Sequence, residues 1–283
     1  MTSNILSPAR RDALVFTGAV TLITVGGLIY ARFIEPAWPR VVRLDLTLPR
    51  LALEFDGYRI VHISDLHVDE YTSTARLARF MRLVNQQDPH TVAITGDFVN
   101  HEAERFAPAI AAGLRLLTPR DLTVAVLGNH DHQTHPASIR WALDQAGALD
   151  LSNTVHTLRR GSAELHLAGV DSVWSAQDRL DLVLTRLPAS GAVVLVTHEP
   201  DFADISAATG RFDLQLSGHS HGGQVRLPVF GPPRLARLGE KYYTGRYDVN
   251  GMILYANQGL GMLPPRVRFR CRPEITVITL RAP

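Results

Sequence analysis

Residues 58–67 read YRIVHISDLH. The first half is an apolar run of strand length, rich in Ile and Val. The second half closes on Asp65 and His67, two side chains that bind cations. The same arrangement returns four times. TVAIT at 91–95 is followed by Gly96 and Asp97, and LTVAVL at 122–127 by Gly128, Asn129, His130 and Asp131. AVVLVT at 192–197 is followed by His198, and residues 213–217 by Gly218, His219, Ser220 and His221. Five buried strands, each ending in a polar cluster, give the chain its frame.

Residues 74–87 place Leu77, Phe80, Met81 and Val84 on one helix face. Residues 136–146 and 177–187 are weaker helical patterns. The last third, with apolar runs at 252–256 and 275–280, reads as strand alone. Alternating strand and helix followed by strands predicts α/β layers with a mixed sheet or sheets. Ligand sites in such sheets lie beyond the carboxyl ends of the strands. The five polar clusters therefore converge on one edge.

The clusters combine carboxylate oxygen with imidazole nitrogen and contain no thiolate. Such donors suit divalent zinc, manganese or iron. Asp97 carries two oxygens and can bridge two cations about 3.5–4 Å apart. Each piece alone has a bland reading: a lone His after a strand is usually structural, and Asn favours turns. The ordered set of five does not.

That order, D-x-H, G-D, G-N-H-D, H and G-H-x-H, resembles the calcineurin-like metallophosphoesterases. Here it stands as SDLH, TGDF, LGNHD, VTHEPD and SGHSHGGQ. With YANQGLG and PEITVITL, the likeness extends to the membrane-anchored or exported bacterial branch, the YkuE- and YaeI-like proteins. That branch is similar to the LpxG-type hydrolases of UDP-2,3-diacylglucosamine, enzymes of lipid A biosynthesis. The resemblance implies a four-layer α/β/β/α sandwich with two mixed sheets. It implies that Asp65, His67 and His221 hold one metal, that Asn129, His198 and His219 hold a second, and that Asp97 bridges them. It makes His130 the catalytic histidine and Asp131 the residue that orients its ring. The expected reaction is hydrolysis of a phosphodiester or pyrophosphate by a hydroxide activated on two divalent ions (Mn, Zn or Fe). Gln258 stands where the branch often has Arg.

The remaining composition narrows the setting. A formal net charge of +2 gives no bulk electrostatic reason to bind nucleic acid. Arg266, Arg268, Arg270 and Arg272 alternate near the end and read as a solvated face rather than an anion patch. The single cysteine, Cys271, excludes a disulfide within the chain. His62 reads as a core residue, and His132 and His135 as candidates to line the cleft. Residues 13–31 form an uncharged 19-residue run after Arg10 and Arg11. That length fits a membrane-spanning helix better than the apolar core of a signal peptide. Arginines flank it on both sides, so the membrane side of the catalytic domain stays open. The organisation expected is an anchor at 1–35, an extended proline-bearing linker at 36–56 and a phosphoesterase domain at 57–283. Residues 227–247, with four aromatic residues and Lys241, could form a loop beside the cleft. An anchored phosphoesterase points to a lipid-linked substrate such as UDP-2,3-diacylglucosamine at the inner membrane. Two competing readings are an exported envelope phosphodiesterase with another substrate and a metal-binding scaffold without catalysis. A third reading, a nuclease of the same superfamily, is opposed by the modest charge, the anchor and the absence of aromatic–basic interleaving in this chain.

Overall fold

The structure, a computed structural model, describes residues 7–283. Helix α1 (Pro8–Ile29) passes through a wider turn (Tyr30–Ile34) and a tighter one (Glu35–Ala37) before strand β1 (Arg40–Thr47). Then come β2 (Arg59–Ile63), α2 (Thr74–Asn85), β3 (Thr91–Thr95), α3 (Ala103–Leu114) and β4 (Leu122–Val126). These are followed by α4 (Asn129–Gln133), α5 (Pro136–Gln145), β5 (Leu149–Asp150), β6 (Thr154–Arg160) and β7 (Ala163–Gly169). The remainder is α6 (Leu180–Arg186), β8 (Ala192–Val196), α7 (Ala203–Ala208), β9 (Leu214–Ser217), β10 (Gly245–Val249), β11 (Met252–Ala256) and β12 (Glu274–Arg281).

The strands form two six-stranded sheets, ordered β1-β12-β2-β3-β4-β5 and β10-β11-β9-β8-β7-β6. Both are mixed. In the first, only β12 and β2 pair antiparallel; in the second, β10–β11 and β6–β7 do. Alternation along each strand sorts the side chains into three cores. Ala93 of β3 and Val194 and Val196 of β8 meet between the sheets. Val92 and Ile94 face outward onto Leu77 and Phe80 of α2, Ile110 of α3 and Ile139 of α5. Val193 and Leu195 face the other way, onto Val183 of α6 and Ala203 of α7. The result is the expected α/β/β/α sandwich, with central strands buried on both faces.

Helix α2 follows its sequence signal. Leu77, Phe80, Met81 and Val84 are its buried residues, and the Ser73 hydroxyl caps it by accepting from the Arg76 amide at 3.2 Å.

The 36–56 stretch is not a linker. Strand β1 runs parallel to β12 from Arg40↔Glu274 to Thr47↔Arg281. Leu46, Leu48, Leu51 and Phe55 are buried in the core between the sheets. The segment just after α1 is docked as well. The Arg268 amide donates to the Ala31 carbonyl at 2.8 Å, and the buried Glu35 carboxylate accepts from the amides of Arg270 (3.0 Å) and Cys271 (2.5 Å). The apolar side chains of α1 from Phe16 to Ile29, by contrast, stand exposed, Leu22 and Ile23 at 76% each. Among the described residues this is the one helix long and apolar enough to cross a membrane.

Candidate metal centre

Strands β2, β3 and β4 run parallel, so Asp65, Asp97 and Asn129 leave the first sheet at one edge. Strands β8 and β9 also run parallel and deliver His198, His219 and His221 from the second sheet. The backbone turns sharply where these side chains emerge. Asp65, His67, Asp97, His219 and His221 all have left-handed φ, between 43° and 66°. Each such residue costs roughly 1–2 kcal/mol. That strain bends Asp-x-His so that Asp65 and His67 face one point, and His-x-His so that His221 joins them while His219 turns toward His198. Close approach does the rest. A methyl group built on Gly128 would overlap the Asp97 carboxylate, and one on Gly218 would overlap Ser64 and Asp65.

Two groups of donors result, Asp65–His67–His221 and Asp97–His198–His219. His67 Nε2 and His221 Nε2 lie 3.0 Å apart, with Asp65 Oδ1 3.4 Å from the latter. His198 Nε2 and His219 Nδ1 lie 3.1 Å apart. Two ligands each about 2.1 Å from one cation, at octahedral or tetrahedral angles, are separated by roughly 3.0–3.4 Å. The donors therefore have metal-ligand spacing. Asp97 Oδ2 is 3.2 Å from His198 Nε2 and 3.5 Å from His67 Nε2, which makes it the atom shared by the two groups. The Asn129 side-chain oxygen is buried without a hydrogen-bond partner, an acceptor that a cation would satisfy.

Outer contacts fix two of the rings. His198 Nδ1–H donates to the Thr95 carbonyl at 2.6 Å, and His219 Nε2–H to the Arg237 carbonyl at 2.7 Å. Each leaves its other nitrogen facing the cluster, as metal-binding histidines do. The electrostatics agree. Burial raises Asp65 to about 6, with Asp97 adding repulsion. Burial alone would lower His198, but the Asp97 and Asp65 carboxylates hold it well above the usual imidazole range. The paired carboxylates draw positive charge into the cluster. A divalent cation would supply that charge directly, with the histidines neutral.

His130 sits beside this pair of groups and, unlike them, is partly exposed. Its ring is 5.0 Å from that of His67. Its Nδ1–H donates to the Asn100 carbonyl at 3.2 Å, and its amide to Asp97 Oδ1 at 2.9 Å. Asp131 does not orient the ring, contrary to the expectation from the motif. It is fully buried and accepts from the amides of Phe98 (2.9 Å), Val99 (3.3 Å) and Gly128 (2.9 Å). It ties the turns after β3 and β4 together, and the carbonyl of Asn100 takes the orienting role. Nothing in the sequence marked Asn100, because a backbone carbonyl carries no residue signature.

His62 is in the core, its Nε2 2.9 Å from the Thr95 hydroxyl. His132 pairs with Asp171 at 2.7 Å and His135 with Ser138 at 2.9 Å, so neither joins the centre. Within 227–247, the Arg237 carbonyl reaches His219, so that loop does border the site. The arginine run does not share one solvated face: Arg270 is exposed, but Arg266 pairs with Asp69. Arg268 is fully buried, with its guanidinium on the carbonyls of Gln258, Gly259, Gly261 and Cys271. Gln258 donates to Thr244 and accepts from Cys271. Sequence reasoning missed Trp174, whose ring is 5.6 Å from that of His219. It also missed Glu199, which holds the Trp174 loop through Ser172, Val173 and Trp174. A further cluster, Asp69–Glu70–His101, is claimed by Arg266, 2.9 Å from Asp69 and 3.5 Å from Glu70. A cavity of about 540 Å³, lined by Phe55, Arg120, His156 and Arg160, opens at the amino end of β4 and contains none of the proposed ligands.

Comparison with known proteins points the same way. A family model described as calcineurin-like phosphoesterase matches residues 58–223. The chain is 32% identical over 267 residues to the uncharacterized metallophosphoesterase YkuE of Bacillus subtilis, covering 93% of each chain. It is 28% identical to the phosphodiesterase YaeI of Escherichia coli, covering 96% of this chain and 99% of that one. It is 25% identical to the UDP-2,3-diacylglucosamine pyrophosphatase LpxG of Chlamydia trachomatis, covering 88% of this chain and 92% of that one.

Proposed function

The chain belongs to the calcineurin-like phosphoesterase family, and on that premise we propose that it hydrolyses the phosphodiester or pyrophosphate bond of a lipid-linked substrate at a membrane surface. UDP-2,3-diacylglucosamine is the specific candidate, by likeness to LpxG. The observation that carries the hydrolytic part is the position of Asp97 Oδ2 within 3.5 Å of a histidine from each donor group. In this reading Asp65, His67 and His221 hold one divalent ion. Asn129, His198 and His219 hold the other, and Asp97 is common to both.

Bound divalent ions supply charge neutralisation, Lewis acidity and an acidified water. The chain's own residues do the rest. Asp65 and Asp97 bring two negative charges against the four positive charges of two divalent ions. The remaining excess suits an anionic phosphoester. His130 holds one proton on Nδ1 against the Asn100 carbonyl, so that in the imidazolium form Nε2–H can donate to a phosphoryl oxygen and pass its proton to the leaving oxygen. Trp174 stands over His219 and, at 39% exposure, offers the substrate a face to lie against.

The membrane part rests on α1 and its docked exit, read as a single-pass anchor in the cell membrane. The test is hydrolysis of bis-p-nitrophenyl phosphate by the full-length protein, stripped of metal and titrated with manganese or zinc. Metal should restore turnover in the wild type, and Asp97→Ala should lose at least 100-fold together with its bound metal. Turnover that survives metal stripping would sink the reading.

A further inference from the structure

The exit of α1 is linked to the metal centre through Cys271, whose amide donates to Glu35 and whose thiol donates to the His221 carbonyl. The uncharged run between Asp12 and Arg32 spans about 28 Å at 1.5 Å per helical residue, close to the thickness of a bilayer's hydrocarbon core. Arg32 is the first charge after it and falls at the lipid headgroups, with Phe33 exposed beside it. This end is held by the Ala31, Arg32 and Glu35 contacts to residues 266–271, so its place relative to the catalytic domain is fixed. Arg32 Nη1 donates to the Arg266 carbonyl at 2.7 Å. No carboxylate pairs with its guanidinium among the described residues, although arginines nearby are paired.

Tyr71 lies near two guanidinium groups. Its ring is 3.9 Å from that of Arg266 and 5.6 Å from that of Arg32, and the residue is 53% exposed. From there the contacts run inward without a break. The Tyr71 amide donates to Asp69 at 2.9 Å, Asp69 accepts from Arg266 at 2.9 Å and from Asn100 at 3.4 Å, and the Asn100 carbonyl holds His130. A phosphate in the headgroup layer can meet Arg32, while its apolar part lies along Phe33 and the Tyr71 ring.

We infer that Arg32 and Tyr71 form a recognition site for acylated, anionic phosphoesters at the bilayer surface, and that they set the enzyme's preference for membrane-resident over soluble substrates. The inference rests on the phosphoesterase reading above and specifies where its lipid-linked substrate is gripped. Arg32 and Tyr71 are specificity residues; neither touches the donor groups that would hold metal.

The test uses the full chain in phosphatidylcholine vesicles with two chromogenic probes. One is soluble, bis-p-nitrophenyl phosphate; the other is acylated, the p-nitrophenyl hexadecyl phosphodiester. Arg32→Gln should lower the ratio of kcat/KM for the acylated probe to that for the soluble one at least tenfold, mainly through KM. Tyr71→Ala should lower it in the same direction, and Arg32→Lys should recover part of it. Equal losses on both probes would make Arg32 a structural residue and overturn the inference. So would an unchanged ratio, or a wild type active only on the soluble probe. A wild type inactive on both probes with metal present would instead overturn the phosphodiesterase reading, and this inference with it.

Discussion

At the scale of single residues, His130 and Asp131 carry different burdens although they are adjacent. Asp131 is pushed up to about 7, by burial first and by Asp97 second, and its oxygens are taken by three backbone amides. It cannot serve the His130 ring, because both oxygens point to the turns. His130 is positioned by two groups that belong to the turn after β3, the Asp97 carboxylate and the Asn100 carbonyl. Truncating His130 therefore removes a proton donor without removing a ligand. His130→Ala should lose roughly 10²–10⁴-fold in turnover, while elemental analysis still finds the metal content of the wild type. Loss of metal in that variant would make His130 a ligand, and full activity would end its catalytic assignment.

At the scale of elements, the strand ends were legible and the turns between them were not. Apolar runs of five or six residues followed by Asp, Asn or His announced β2, β3, β4, β8 and β9, because burial on both faces demands such runs. Helix α3 escaped notice although Phe106, Ala107, Ile110, Ala111 and Leu114 are spaced for one face; Pro108 inside it breaks the pattern. Strand β1 alternates Val42, Leu44 and Leu46 with charged or polar residues, but flanking prolines masked it, and its partner β12 lies 234 residues away in register. The hairpin of β6 and β7 is half-exposed along β6 and leaves a weak signal. The five left-handed residues left no pattern at all, since the Asp and His side chains that tolerate that backbone are the same ones the chemistry requires. What the sequence did mark is glycine. Gly128 has an ordinary φ of −106°, so only its missing side chain matters, and that gap is filled by Asp97. Gly128→Ala should displace the Asp97 carboxylate and lower both metal content and turnover at least tenfold, with the circular dichroism spectrum unchanged. Retained metal at wild-type level would show that the turn can shift without cost.

At the scale of the whole molecule, the proposed metal ligands come from both sheets. Asp65, His67, Asp97 and Asn129 follow strands of the first; His198, His219 and His221 follow strands of the second. Between the sheets the core is apolar, held by Ile60, Val126, Leu167 and Leu216 among others. At the carboxyl edge the joint is made of buried polar groups instead. Asp65 accepts the His219 amide at 3.1 Å, but Asn129 Oδ1 is buried without a partner, and the Nε2 atoms of His67 and His221 face each other at 3.0 Å. A buried acceptor left unsatisfied costs about 1–3 kcal/mol. Cations binding there would clamp the sheets as well as serve catalysis, since binding to the folded state alone raises stability by mass action. At a free metal concentration 1,000 times Kd the gain is about 4 kcal/mol, on the order of 10 °C in Tm for a domain of this size. The full-length protein should therefore melt roughly 10 °C lower after chelation and recover on adding manganese or zinc, whereas Asp97→Ala should melt at one temperature in both conditions. A wild type whose Tm ignores chelation would mean that the polar edge is satisfied without metal, and the joint between the sheets would have to be credited to the apolar core alone.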